Sequence, residues 1–198
     1  MLTALSRNGH SPDSGVAHGL SGPLALLSLA LREGVVVPGQ REALRRLAGT
    51  LTARCTTDPW GATWPGTAPG RLPRASWCRG SPGTARALWL AGTALDDAAP
   101  RELAVRALQA ACRRPPEVRR VDAEPGLCHG VAGLLHITAR FAHDTGDPEL
   151  AAVAADLAST RFRPVDAGFL DGAAGVTLTL LAAATDTELA WDRALLLA

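Results

Sequence analysis

Leu127-Cys128-His129-Gly130-Val131-Ala132-Gly133 is the stretch on which the reading of this chain turns. It sets a cysteine and a histidine in front of two glycines spaced Gly-x-x-Gly, and an apolar segment follows. The same spacing recurs at Gly19/Gly22, Gly80/Gly83 and Gly172/Gly175, with first glycines separated by 61, 50 and 42 residues. Recurrence on that scale points to an architecture of repeated helix pairs.

The segments after the glycine pairs, Pro23–Leu31, Thr84–Leu95, Leu134–Phe141 and Val176–Ala184, are apolar on nearly every side, as expected for helices buried all round. Between them lie one-sided patterns. Leu44, Leu47 and Leu51 fall at i, i+3 and i+7, with Arg45 and Arg46 between them. Leu150, Val153 and Leu157 repeat the spacing after Asp147-Pro148-Glu149, a helix start with a capping Asp and Pro at the first position. Ala99-Pro100-Arg101-Glu102 opens another such helix. The pattern predicts alternating amphipathic outer and buried inner helices, an all-α fold without strands. Inner helices that begin at one end place their N-terminal loops around a shared site. The longest loop, from about Thr56 to Ser76, carries Trp60, Trp64, Pro65, Pro69 and Pro73, and its tryptophans predict that it packs against the body.

The 198 residues suffice for one ordinary domain, and a net charge of +1 gives no electrostatic case for nucleic acid or an anionic membrane. Leu20–Leu31 and Gly172–Thr185, the best apolar runs, fall short of the roughly 18 residues a membrane span needs. The N-terminus has no signal pattern, which predicts an intracellular, cytoplasmic protein whose four cysteines are thiols or metal ligands and not disulfides.

Cys78, within Ser76-Trp77-Cys78-Arg79-Gly80-Ser81-Pro82-Gly83, and Cys128 each stand two residues before their glycine pair. With His129 they supply two thiolates and an imidazole, three of the four ligands of a tetrahedral zinc with one position open. Two inert buried thiols and a satisfied polar histidine fit the spacing as well. Thiolates of this number cancel the charge of the ion. A substrate thiol entering the open position loses its proton, so thiol activation is the task that suits such a site. His18 occupies the position of His129 in the first repeat, where a histidine can give or take a proton near neutrality. Arg74, four residues before Cys78, is a permanent cation; it orients an anionic intermediate or is a solvated loop arginine. Asp171 takes the same position in the fourth repeat, as an acceptor for helix N-terminal amides or, less favoured, as a contributor to the site. Cys55 and Cys112 read as ordinary thiols, and His10, His136 and His143 show no ligand spacing.

These motifs resemble the lanthionine synthetase C-like family, the cyclases of lanthipeptide biosynthesis. The resemblance runs in order through Gly15-Val16-Ala17-His18-Gly19-Leu20-Ser21-Gly22, Ser76–Gly83, Leu127–Gly133 and Gly168–Gly175. It closes with Trp191-Asp192-Arg193-Ala194-Leu195-Leu196-Leu197. It implies an α/α toroid of seven helix hairpins around a zinc, of which residues 1–198 form the C-terminal portion, an incomplete ring of about four hairpins. It assigns zinc to Cys78, Cys128 and His129, an acid/base role to His18 and a role in activity to Arg74. The reaction it implies is Michael-type addition of a peptide cysteine thiolate to dehydroalanine or dehydrobutyrine, on a dehydrated precursor peptide made by a dehydratase. Arg79 stands where the family has an aromatic residue. The acidic residue that the first half of the toroid contributes is not in this chain, so a missing N-terminal half or a second copy is an expected partner. A non-catalytic thiol-binding or scaffold protein of the same fold is the alternative. An incomplete ring is also expected to expose a large apolar patch along its inner helices.

Overall fold

A computed structural model of the chain describes residues 11–66, 74–163, 166–185 and 190–198. His10, Pro69 and Pro73 lie outside the described residues. Each predicted apolar segment is an inner helix: α1 (Ser21–Arg32), α3 (Ser81–Leu95), α6 (Val131–Thr145) and α8 (Ala173–Ala184). Three are followed by an outer helix: α2 (Gln40–Ala53), α4 (Ala98–Arg113) and α7 (Pro148–Ala158). One further turn of helix, α5 (Pro116–Arg119), follows α4.

The two layers differ as their sequences differ. Helix α3 buries eleven of its fifteen residues, including Arg86, whereas α4 buries the stripe Pro100, Leu103, Ala104, Ala107, Leu108 and Ala111, with Ala110 beside it. That is the i, i+3, i+4, i+7 pattern of a helix with one face on a core. Leu44, Leu47 and Leu51 of α2 are fully buried, and each contributes about 1.5–3 kcal/mol over an exposed leucine. Asp97 caps α4 by accepting from the Ala99 amide, and the helix opens at Ala98, one residue before the Ala99 of the sequence pattern. Asp147 caps α7 through the amides of Glu149 and Leu150, as Asp-Pro-Glu predicts. Helices α3 and α6 end on left-handed residues, Asp96 and Gly146.

Inner helices pack side by side in chain order, α1 on α3, α3 on α6 and α6 on α8, with each outer helix folded back on its own inner partner. The result is an arc of helix hairpins. Helix α8 is the arc's last inner helix, and it buries only Gly175, Val176 and Thr179.

Two features differ from expectation. The first is a small antiparallel hairpin, β1 (Thr56–Asp58) and β2 (Gly61–Thr63), in the long loop. Its turn is set by Asp58, whose Oδ1 accepts from the amides of Trp60 and Gly61. Gly61 sits at φ +132°, which a side chain disfavours. The other oxygen of Asp58 pairs with the fully buried Arg114 (Nη2–Oδ2 2.7 Å), pinning the hairpin to the end of α4. Trp64 is buried and donates Nε1–H to the Leu51 carbonyl.

The second is the C-terminal segment 190–198, a 3₁₀ turn (Ala190–Leu195) and a short tail laid across inner helices α3 and α6. Trp77 Nε1 donates to the Leu195 carbonyl (2.9 Å) and Arg86 Nε to the Leu197 carbonyl (2.7 Å). Asp192, fully buried, accepts from His136 Nε2 (2.9 Å) and lies 2.8 Å from Arg140 Nε. The tail buries Leu195 and Leu197 in the main core. The expected large patch is reduced accordingly: among the described residues the exposed large apolar side chains are Val35 and Val36 in a loop, Leu170 on the rim and Leu181 on α8.

Candidate metal centre

The loops that lead into the inner helices share one construction. In three of the four, the amide two residues before the second glycine donates to a carbonyl seven residues earlier: Leu20 to Asp13, Val131 to Glu124, Ala173 to Asp166. The second glycine of each pair faces the carbonyl six residues before it. A Cβ at Gly22, Gly83, Gly133 or Gly175 would stand 2.0–2.4 Å from the oxygens of Val16, Trp77, Leu127 and Phe169. No side chain fits there, which is the physical content of the repeated glycine pair.

Adjacent loops are then tied to one another by main-chain bonds at equivalent positions. The Ala17 amide donates to the Cys78 carbonyl (3.1 Å), the Cys78 amide to the Cys128 carbonyl (3.2 Å) and the Cys128 amide to the Leu170 carbonyl (3.0 Å). This ladder runs along the rim of the arc, and two of its rungs are the cysteines. Gly15 and Gly126 permit the close approach of neighbouring loops, because a Cβ there would meet the Cys78 oxygen at 2.3 Å and Asp171 Cα at 2.6 Å.

The ladder brings Cys78, Cys128 and His129 together, with donor atoms all within 4.8 Å of one another. Metal–ligand bonds of about 2.3 Å to sulfur and 2.0–2.1 Å to nitrogen set ligand edges of roughly 3.6–3.8 Å in a tetrahedron. The three donors therefore need to close by about 1 Å at most. All three residues are half-buried, leaving a side open to solvent. The Cys128 thiol, as a hydrogen-bond donor, lowers Cys78 to about 6 against the burial that would raise it, and Ser76 and His129 add to the lowering. The same bond, then burial and the negative charges of Cys78 and Asp171, raise Cys128. Two sulfurs thus share one proton, and a divalent cation is the partner that lets both ionise. The donor set fits zinc.

The other residues singled out in the sequence lie outside the three-donor cluster. His18 is exposed on the loop whose Ala17 amide holds Cys78. Arg74 is half-buried at the base of the Cys78 loop, where its carbonyl fills the space a Gly80 Cβ would take (2.2 Å). Arg79, in the position between His18 and His129 along the rim, pairs with Asp13 at 3.4 Å. Asp171 lies 3.7 Å from His129 Nδ1. Cys112 is raised to about 11 by burial and contacts Thr138, an inert thiol as its pattern suggested. His136 is a core residue paired with Asp192. Ser76, whose hydroxyl lies 3.8 Å from Cys78 Sγ, carried no signal in the sequence.

Comparison with known proteins agrees with this construction. The model of the family described as lanthionine synthetase C-like protein matches residues 4–196. No curated protein sequence matches the chain. Among solved structures, nisin cyclase superposes with a TM-score of 0.74 at 23% identity, covering 92% of this chain. The chain spans about half of that protein, 49% of its length. The arc of hairpins is thus part of an α/α toroid. Helix repeats, glycine-pair loops and the family model all lead to one assignment: this chain belongs to the lanthionine synthetase C-like family.

Proposed function

We propose that the chain is a zinc-dependent lanthipeptide cyclase, or the C-terminal, metal-carrying part of one. It joins a peptide cysteine thiolate to dehydroalanine or dehydrobutyrine in a dehydrated precursor peptide. The observation that carries this reading is the convergence of Cys78, Cys128 and His129 from two separate repeats. In this reading those three residues hold the ion. A zinc bound there supplies the positive charge that makes a peptide thiol ionise at neutral pH.

The chain's own residues do the rest. The open side of the cluster admits the peptide. The sulfur forms a bond to the β-carbon of the dehydro residue, the carbon–carbon double bond opens, and the electron pair passes to the carbonyl as an enolate. His18 returns a proton to the α-carbon, and Arg74 orients the anionic oxygen. The peptide's thiol proton is released and one proton is added, so the product is an isomer of the substrate. Cytoplasmic conditions suit four cysteines that form no disulfide.

Because cyclisation leaves the mass unchanged, the test counts thiols. A dehydrated precursor incubated with zinc-loaded protein should lose alkylatable thiols, and Cys78→Ala or His18→Ala should abolish the loss. A protein that binds no stoichiometric zinc sinks the reading. A non-catalytic, thiol-binding role draws support from Arg79, which replaces the family's aromatic residue and is engaged by Asp13. It predicts bound zinc with every precursor thiol still alkylatable.

A further inference from the structure

We propose that Asp171 is a positioning residue: the fourth loop lends its carboxylate to the imidazole that the third loop presents to the metal. The inference rests on the metal-binding reading of the site. Asp171 Oδ1 lies 3.7 Å from His129 Nδ1, while the three-donor cluster is Cys78, Cys128 and His129 without it. The carboxylate thus lies beside a ligand, within ion-pair range, and stands outside the ligand set.

Its place is fixed by main chain. The amides of Leu127 and Cys128 both donate to the Leu170 carbonyl (2.7 and 3.0 Å), so the residue that follows is clamped beside the one that follows Cys128. Gly126 lets Asp171 Cα come this close. Asp171 does not take the alternative role of capping α8, because no side chain accepts from the first amides of that helix. The Ala173 amide donates to the Asp166 carbonyl and the Val176 amide to Gly172. The Gly168 amide goes to Asp166 Oδ1. His129 is the side chain that the structure pairs with the Asp171 carboxylate.

The chemistry follows from the two ring nitrogens. A carboxylate facing Nδ1 favours the tautomer with its proton there, which leaves the Nε2 lone pair for a metal and restrains rotation of the ring. It also makes the imidazole a stronger base toward the ion.

The test compares the full chain with Asp171→Ala, Asp171→Asn and His129→Ala by zinc affinity in chelator competition, and by the melting temperature of the metal-free forms. Asp171→Ala should weaken zinc by about 10–100-fold, and Asp171→Asn, which keeps an acceptor oxygen, by less. Metal-free melting should be unchanged, because the side chain caps nothing. In a His129→Ala background the Asp171→Ala change should have no further effect on zinc. Equal affinity for wild type and Asp171→Ala overturns the proposal while leaving the metal site intact. A lowered metal-free melting temperature that accounts for the lost affinity overturns it in favour of a structural role. A wild type that binds no zinc removes the metal site and this proposal together.

Discussion

Replacing Gly133 by alanine probes the rim where it is tightest. An added Cβ would stand 2.0 Å from the Leu127 oxygen, and real contacts essentially never fall under 3.0 Å, so the loop must retreat by 3.0 − 2.0, about 1 Å. Forced shifts of that kind cost about 1–3 kcal/mol. The retreat also strains three bonds that close the loop, from the amides of Val131, Ala132 and Gly133 to the carbonyls of Glu124, Pro125 and Gly126. Each is worth about 1 kcal/mol net. Alanine regains about 1 kcal/mol of helix propensity. With each of the three bonds weakened by about half, the balance is a loss of about 2–3 kcal/mol, or a fall of about 4–12 °C in melting temperature for a chain of this size. Leu127 precedes Cys128, so zinc affinity should fall as well. Ligands must meet the ion at their standard bond lengths to within about 0.2 Å, and a displaced Cys128 has further to move to do so. Gly49 supplies the control: it is an exposed glycine inside α2, and a Cβ there meets nothing within 4 Å. Gly49→Ala should raise melting by about 2–4 °C. Scanning calorimetry of both variants, with a zinc titration of each, reads the outcome. If Gly133→Ala melts at or above wild type while Gly49→Ala behaves as stated, the packing argument for the glycine pairs is wrong.

Three other expectations bear on the rest of the molecule. Asp58→Ala leaves the buried Arg114 charge without its partner and should cost about 3–5 kcal/mol, much of it recovered by adding Arg114→Met, as followed by chemical denaturation. Burial pushes the Asp192 carboxyl up, but the His136 hydrogen bond and the Arg140 charge outweigh it and hold the group below the ordinary aspartate range. Its stabilising contribution is therefore complete above about pH 5 and drains away as pH falls through the ordinary value toward the lower folded one. Melting measured across that interval should fall more steeply for wild type than for Asp192→Asn, and parallel curves would refute the assignment. Zinc present at about 100 times its dissociation constant adds about 2.7 kcal/mol. Chelation should lower melting by about 5–11 °C, and Cys78→Ala or Cys128→Ala should remove that response.

The repeat was legible because its cause is local. A glycine whose Cβ would strike a carbonyl six residues away leaves the same mark in every copy, and Asp147-Pro148 announces its helix within three residues. The gathering of Cys78, Cys128 and His129 was legible in part, through their shared register. The ladder that gathers them is made of main-chain atoms, which leave no residue-type signature. The β-hairpin was missed because its determinants are one Asx turn and an ion pair from Asp58 to Arg114, far apart in sequence. His136 looked unremarkable for the same reason. Its partner is Asp192, at the other end of a tail whose docking depends on carbonyls of Leu195 and Leu197 that any residue would provide.

The rim ladder has a bearing on how such proteins change over time. Its rungs are peptide groups, and at equivalent rungs this chain places alanine, cysteine, cysteine and leucine. Sulfur can be gained or discarded at a rung without disturbing the scaffold that holds its neighbours. Descendants of this architecture are thereby free to drift between reactive and inert forms, since the shape survives whichever atoms face the solvent.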